Sequence, residues 1–248
     1  MNLRRTLPLT VAGTSLALLV TATGAVPALA DTTPSPSPTG SSAQTCSPAR
    51  LSYVQARVNA AVQARELTIT QLIRVLAART HVTDGHRGTL SGTYTADVSG
   101  LRSADAQVQA DTTCTQAVTD GRTVVTSFRV YLLLAPQTHL VAAADTGTFA
   151  AVQLAAAEPK AQAAIDALTD PTTKAAAQAK LDDLKTQVST AQSDLAGVAD
   201  GALALVPANI PAAEPTLAGY RAKVSSAHAA LAQAVADAKA LRSLLGNA

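Results

Sequence analysis

The sequence is poor in aromatic side chains: its 248 residues include no tryptophan, two phenylalanines and four tyrosines. Glycan-binding proteins commonly hold sugar rings against aromatic side chains, whose flat apolar faces supply much of the contact area. The composition therefore argues against glycan recognition. The tyrosines are instead expected to lie along or beside helix contacts; they are Tyr53, Tyr94, Tyr131 and Tyr220.

The local motifs of common enzyme classes are also missing. The sequence has no G-x-S-x-G elbow, S-x-x-K pair, H-E-x-x-H helix, phosphate-binding loop or dinucleotide fingerprint. Asp182 and Asp183 are adjacent carboxylates, as in a catalytic pair. Side chains of neighbouring helix residues point about 100° apart, however, so this pair is expected on a solvated helix face. His81, Asp84 and His86 form one close group of metal-ligand residue types, and in a predicted loop such a group is usually solvated. We therefore predict no catalytic, cofactor-binding or metal-binding residues, no cofactor, and a protein that is not an enzyme.

Beyond residue 30 the sequence lacks a run of about twenty apolar residues, the length that a membrane-spanning helix requires. The most apolar stretch there is RVYLLLAPQTHLVAAAD, residues 129–145, and PQTH at 136–139 interrupts it. We predict no transmembrane segment once the N-terminal segment has been removed.

The N-terminal segment, residues 1–30, has the three parts of a secretory signal peptide. Basic MNLRR precedes an apolar run at 7–20, and Ala28-Leu29-Ala30 provides a cleavage site. An uncleaved anchor helix is the alternative. Residues 31–45 are rich in Pro, Ser and Thr and are predicted to be a disordered tether. We expect a secreted protein, either free or associated with the cell envelope.

The remaining chain has no excess of either charge. The sequence contains 19 basic and 17 acidic residues, and removal of Arg4 and Arg5 leaves 17 of each. A neutral chain without charge blocks has no electrostatic footprint for nucleic acid. We predict that it binds no nucleic acid.

The two cysteines, Cys46 and Cys114, predict one disulfide, because an exported protein with an even number of cysteines is expected to oxidise them. A turn near Val82 would give two arms of nearly equal length and bring the cysteines together. Such a bridge closes a long loop and contributes on the order of 4 kcal/mol to stability.

Apolar residues at three- and four-residue spacing predict helices through most of the chain. Residues 46–158 are predicted to hold a disulfide-linked helical hairpin, with helices at about 48–79 and from Leu90 to Val108, plus a central apolar segment. Residues 159–248 are predicted to form a second hairpin, from Asp170 to about Ala202 and from Leu217 to Leu245, joined by the proline-rich loop 206–215. The predicted fold is all-α, with long antiparallel, coiled-coil-like hairpins.

The central apolar segment has two interpretations. Its β-branched and aromatic residues allow a short β-hairpin near 124–143 with APQT as the turn. Helix is favoured, because two strands alone are marginally stable in water. Either structure places the segment in a core shared by the two hairpins.

The run FRVYLLLAPQTHLVAAAD, residues 128–145, in an Ala/Thr-rich helical chain after a signal peptide, resembles secreted proteins of unknown function from high-GC Gram-positive (actinobacterial) bacteria. The resemblance implies an exported, mainly helical protein. It carries no known activity and no site residues.

These observations favour a secreted, non-enzymatic helical protein that acts through contacts with an unidentified protein or envelope component, self-association included. The alternative is a protein that binds a small hydrophobic ligand. Large side chains in and near the apolar segment are the candidate ligand or interface residues; they are Phe128, Tyr131, Leu134, His139 and Phe149.

Overall fold

A computed structural model describes residues 46–246, and the predicted signal peptide and tether lie outside that range. The described chain is mainly helical and contains no strand, so the predicted all-α class is confirmed. Its α-helices are α1 Pro48–Ala77, α2 Asp84–Ala110, α3 Cys114–Thr126, α4 Ala135–Asp166, α5 Pro171–Leu195, α6 Val198–Leu203 and α7 Glu214–Gly246. A π-helical segment, Val130–Leu134, precedes α4, and a 3₁₀ turn, Pro207–Asn209, lies between α6 and α7.

Two of the helices begin at capping residues followed by proline. The Ser47 side chain accepts a hydrogen bond from the backbone N–H of Arg50, and the Asp170 side chain accepts one from that of Thr173. Proline follows each cap, in the first turn, where its missing N–H costs nothing. These local signals fix where α1 and α5 begin.

Polar contacts join α1 to α2 along their length. The amide of Gln55 donates to the carbonyls of Val108 and Gln109, and Asn59 donates to Asp105 at 2.7 Å. The connection between the two helices is shorter than the predicted break, because α2 already begins at Asp84.

The predicted disulfide between Cys46 and Cys114 is confirmed, with Cα atoms 5.5 Å apart. Cys46 precedes α1 and Cys114 begins α3, while Val82 is buried in the connection between α1 and α2. The bridge therefore links the beginnings of α1 and α3 across a separation of 68 residues.

The central apolar segment is helical, so the alternative β-hairpin near 124–143 is wrong. The end of α3, the π segment and the start of α4 occupy this range, apart from residues 127–129, which connect α3 to the π segment. Pro136 lies in the first turn of α4, where proline is tolerated, so the predicted APQT turn begins a helix instead.

Helix α4 contributes to a core shared by residues from α1 to α7. Its N-terminal part and the π segment bury several residues there: Val130, Leu133, Leu134, Leu140, Val141, Ala142 and Ala144. Near its C-terminus, Ile165 packs in a second cluster with Ala177, Leu181 and Leu241. Helix α4 runs without a break through the predicted boundary at 158/159.

The predicted helix from Asp170 to about Ala202 is divided in two. Helix α5 ends at Leu195, and Gly197 has a φ of 69° before α6 begins. Val198 and Ala202 are still buried after the break. The apolar spacing therefore continues across an interruption of the helix, which the spacing alone does not indicate.

Candidate functional site

A polar contact joins three separate helices through the partly buried His86, in the first turn of α2. Its Nδ1 atom lies 2.9 Å from Oδ2 of Asp145 on α4, and its Nε2 atom lies 3.1 Å from Oδ1 of Asp200 on α6. The backbone N–H of Thr83, the N-cap of α2, also donates to Oδ2 of Asp145. Asp145 is buried and Asp200 is exposed.

The two carboxylates decide the charge of His86. Desolvation by partial burial lowers its pKa, but hydrogen bonds and charge attraction from Asp145 and Asp200 outweigh this, so its pKa is raised above the usual value. A charged imidazolium donates one hydrogen bond to each carboxylate. The arrangement holds α2, α4 and α6 together, and sequence analysis had placed His86 among solvated loop residues.

The other histidines lie apart from this cluster. His81 stacks on Phe149 with ring centroids 3.8 Å apart, and His139 is exposed on α4. On α7, burial lowers the pKa of His228, although a hydrogen bond with the backbone of Ala143 opposes the shift. Within residues 46–246, no three His, Cys, Asp or Glu side chains are grouped so as to hold a metal ion.

A cleft of about 140 Å³ lies between α2, the π segment with the start of α4, and the chain that follows α6. Most of its lining is apolar: Leu90, Leu133, Leu134, Leu203, Leu205, Val206 and Pro207. Its polar lining consists of Thr93, Asp97, Arg129 and Gln137. π-helical turns are frequent at functional sites, and here the π segment supplies part of the wall.

The polar residues of the cleft differ in how well they are paired. The buried Gln137 amide donates to the carbonyls of Ala202 and Leu205, each at 2.7 Å. Asp97 and Arg129 are half-buried, and no hydrogen bond or ion pair joins either side chain to another residue in the described part of the chain. Burial raises the pKa of the Asp97 carboxyl.

The five predicted ligand or interface residues have separate surroundings. Leu134 is buried and lines the cleft. Phe128 is half-buried against Gly100 of α2, where a Cβ atom would lie 2.5 Å from its ring. Phe149 stacks on His81 and is 40% exposed.

The remaining aromatic candidate, Tyr131, lies on a shallow groove of about 340 Å³. Tyr131 and Leu132 are 48% and 47% exposed, and the Arg65 guanidinium lies 5.4 Å from the Tyr131 ring centroid. The groove is lined by Tyr131, Leu132 and Pro136 on one side and by Glu214, Leu217, Ala218 and Arg221 of α7 on the other.

Sequence analysis did not identify Asp97, Arg129 or Gln137. Each is isolated in the sequence, and only the approach of α2, α4 and α6 brings them to one cleft. The one local signal for this site was Gln137, a glutamine inside an apolar run. A buried amide needs hydrogen-bond partners, so such a residue indicates a polar contact within the core.

One helical stretch of the described chain, Cys114–Asp166, is long and apolar enough to cross a membrane by length and composition. In its most apolar part, 39% of the residues are buried inside the protein. The core helix of a folded domain can have the same length and composition. The absence of a transmembrane segment stays a prediction.

Comparisons with protein-family models, curated proteins and solved structures found no match. The resemblance to secreted proteins of high-GC Gram-positive bacteria therefore also stays a prediction.

Proposed function

We propose that this is an exported, non-enzymatic helical protein that acts through contacts with another protein or with a component of the cell envelope. The observation that carries the proposal is the groove at Tyr131 and Leu132. These large side chains are nearly half exposed beside the buried Leu217 of α7.

The composition of the groove is typical of a protein contact. An aromatic ring, two leucines, a proline and an alanine form its apolar part, and Glu214 and Arg221 supply one charge of each sign. Interfaces concentrate binding energy in aromatic and arginine side chains within a polar rim. Opposite charges on one surface also suit a second copy related by two-fold symmetry, with Glu214 of each copy facing Arg221 of the other.

The helices supply a stiff body for such contacts. We propose that α1 with α2, and α5 with α7, form antiparallel hairpins with coiled-coil-like packing. The contacts of Gln55 with Gln109 and of Glu66 with Arg102 support the first hairpin, and that of Lys180 with Asp237 supports the second. Buried alanines allow close approach in the second; they are Ala177, Ala191, Ala227, Ala230 and Ala234.

The disulfide supports the proposed export. Disulfides form and persist in oxidising compartments, and the described chain has no free cysteine. Placement in the medium or on the envelope fits a protein whose role is contact.

The groove is tested by comparing two exposed tyrosines that each lie beneath an arginine. Tyr131→Ala removes the groove aromatic beside Arg65, and Tyr53→Ala removes a 61% exposed ring beside Arg57 and serves as the matched control. The protein is collected from an exporting host, and its retention on washed envelope material and its mass by sedimentation are measured.

We expect the unaltered protein and Tyr53→Ala to be retained or to self-associate, and Tyr131→Ala to lose most of that binding. Retention without self-association would identify an envelope partner, and the reverse would identify a second copy. The proposal is contradicted if the unaltered protein is neither retained nor self-associated. It is also contradicted if the two variants lose binding equally.

A second candidate function, binding of a small molecule with an apolar part, is favoured by the leucine-lined cleft. A thermal-shift screen of hydrophobic metabolites tests it. A higher melting temperature is expected with at least one compound, and no increase with any would count against it.

A further inference from the structure

The cleft between α2, the π segment and the chain after α6 combines apolar walls with charges of both signs. Asp97 of α2 supplies a carboxylate and Arg129 supplies a guanidinium just before the π segment. The two groups do not form an ion pair with each other, since no such pair occurs within the described chain. Each charged side chain is therefore available to a bound molecule.

The Asp97 and Arg129 side chains lack partners within the described chain, and each could bind a charged group of a ligand. The Arg129 guanidinium donates to no acceptor in residues 46–246, and its Nε is buried without a partner. Partly buried charges that lack partners are costly, and a ligand of opposite charge removes that cost. A carboxylate would satisfy Arg129, and an ammonium group would satisfy Asp97.

Gln137 gives the cleft a fixed wall. It is 5% exposed, and its amide group is held by two carbonyls, those of Ala202 and Leu205. Its Oε1 atom accepts no hydrogen bond within the described chain and is available as a further acceptor. Because α6 and the following residues are tied to α4 through this side chain, the cleft is formed before any molecule enters it.

The volume restricts the size of the ligand. The cleft measures about 140 Å³, and an apolar cavity of about 150 Å³ can hold benzene. A short branched aliphatic group is of a size that matches this volume, and Leu90, Leu133 and Leu203 are the apolar side chains that would surround it.

We propose that this cleft binds a small zwitterionic aliphatic molecule of the amino-acid class, with its ammonium group on Asp97 and its carboxylate on Arg129. The proposal deepens the second candidate function by naming the ligand class. It is independent of the groove at Tyr131, whose test uses a different surface and readout.

Three matched probes test the ligand class. L-valine carries both charges, isovalerate has the same branched chain without the ammonium group, and isobutylamine has it without the carboxylate. Affinities for the full exported protein are measured by ligand-observed NMR titration. We expect each analogue to bind about tenfold more weakly than L-valine, because each leaves one charged side chain of the cleft unpaired.

Two variants assign the contacts. Asp97→Asn is expected to lower the affinity for L-valine and isobutylamine while leaving that for isovalerate unchanged. Arg129→Gln is expected to lower the affinity for L-valine and isovalerate and to spare isobutylamine. Asp183→Asn, on an exposed carboxylate of α5, is the control and is expected to change none of the three.

The proposal is overturned if folded protein does not bind L-valine, or if both analogues bind as tightly as L-valine does. It is also overturned if the two cleft variants weaken all three probes equally. Should either variant fail to fold, the ranking of the three probes on the unaltered protein still decides the ligand class. A negative result here leaves the outcome of the Tyr131 experiment as it stands.

Discussion

The Nδ1 atom of His86 lies 2.9 Å from Oδ2 of Asp145, although 59 residues separate the two in sequence. The Asp145 carboxylate is 8% exposed and also accepts the backbone N–H of Thr83. On its other side His86 contacts Asp200 of α6. One imidazole thus joins the start of α2 to α4 and to α6, which are helices that also contribute residues to the cleft.

This contact predicts stability that depends on pH. The pKa of His86 is raised in the folded protein, so its contribution is fully present below the unfolded value of about 6.5 and is lost as pH rises through the folded pKa. We expect His86→Gln to melt below the unaltered protein at about pH 5.5, and the difference to shrink by about pH 8.5. Thermal unfolding followed by circular dichroism at both pH values measures it.

The control is the same substitution in an Asp145→Asn background. Without the buried carboxylate, His86 loses its closest charged partner, so the effect of His86→Gln is expected to depend less on pH. A melting difference that is constant with pH, or that grows toward alkaline pH, would show that the contact does not act through the imidazolium charge.

Local chemistry predicted the helices where their ends carry strong signals. The predicted starts at about residue 48 and at Asp170 agree with those of α1 and α5. In both places a capping side chain, that of Ser47 or Asp170, accepts a hydrogen bond from a backbone N–H three residues on. The Cys46–Cys114 pairing was also predictable, since a chain with two cysteines leaves one partner for each thiol and the predicted export favours their oxidation.

Features that depend on distant residues were not predictable in this way. His86, Asp145 and Asp200 come from three helices, and so do Asp97, Gln137 and Leu203, which lie on α2, α4 and α6. Such groupings follow from how the helices pack, and no spacing within one helix encodes them. The end of α5 was missed for a related reason: Leu195 and Val198 keep helical spacing across Gly197.

Removal of the disulfide is expected to lower stability substantially. Cys46→Ser with Cys114→Ser opens a link across 68 residues, worth on the order of 4 kcal/mol by chain entropy. For a domain of this size that corresponds to a loss of about 10 °C in melting temperature. Thiol titration of the native protein, collected from an exporting host, is expected to detect no reactive group; two reactive groups would refute the bridge.

Gly197 is expected to be required by its backbone conformation. Its φ of 69° is disfavoured for other residues, although a Cβ atom there would meet nothing within 4 Å. Gly197→Ala should therefore cost about 1 kcal/mol. Gly92→Ala is the matched control, because Gly92 is also open but lies within α2, where alanine should stabilise by about 0.5–1 kcal/mol. Chemical denaturation measures the free energy of unfolding of both variants. Changes of the same sign would contradict the requirement for glycine at position 197.

The hydroxyl of Tyr94 makes a buried hydrogen bond that ties α2 to α4. Its oxygen lies 2.7 Å from Oγ1 of Thr138, which itself donates to the carbonyl of Leu134 in the π segment. Tyr94→Phe should cost about 1 kcal/mol. Thr138→Val should cost about 1–3 kcal/mol, because it leaves the buried Tyr94 hydroxyl without a partner. Since both substitutions break the same bond, the double variant is expected to lose less than the sum of the two, and strictly additive losses in urea denaturation would show that the two hydroxyls are not coupled.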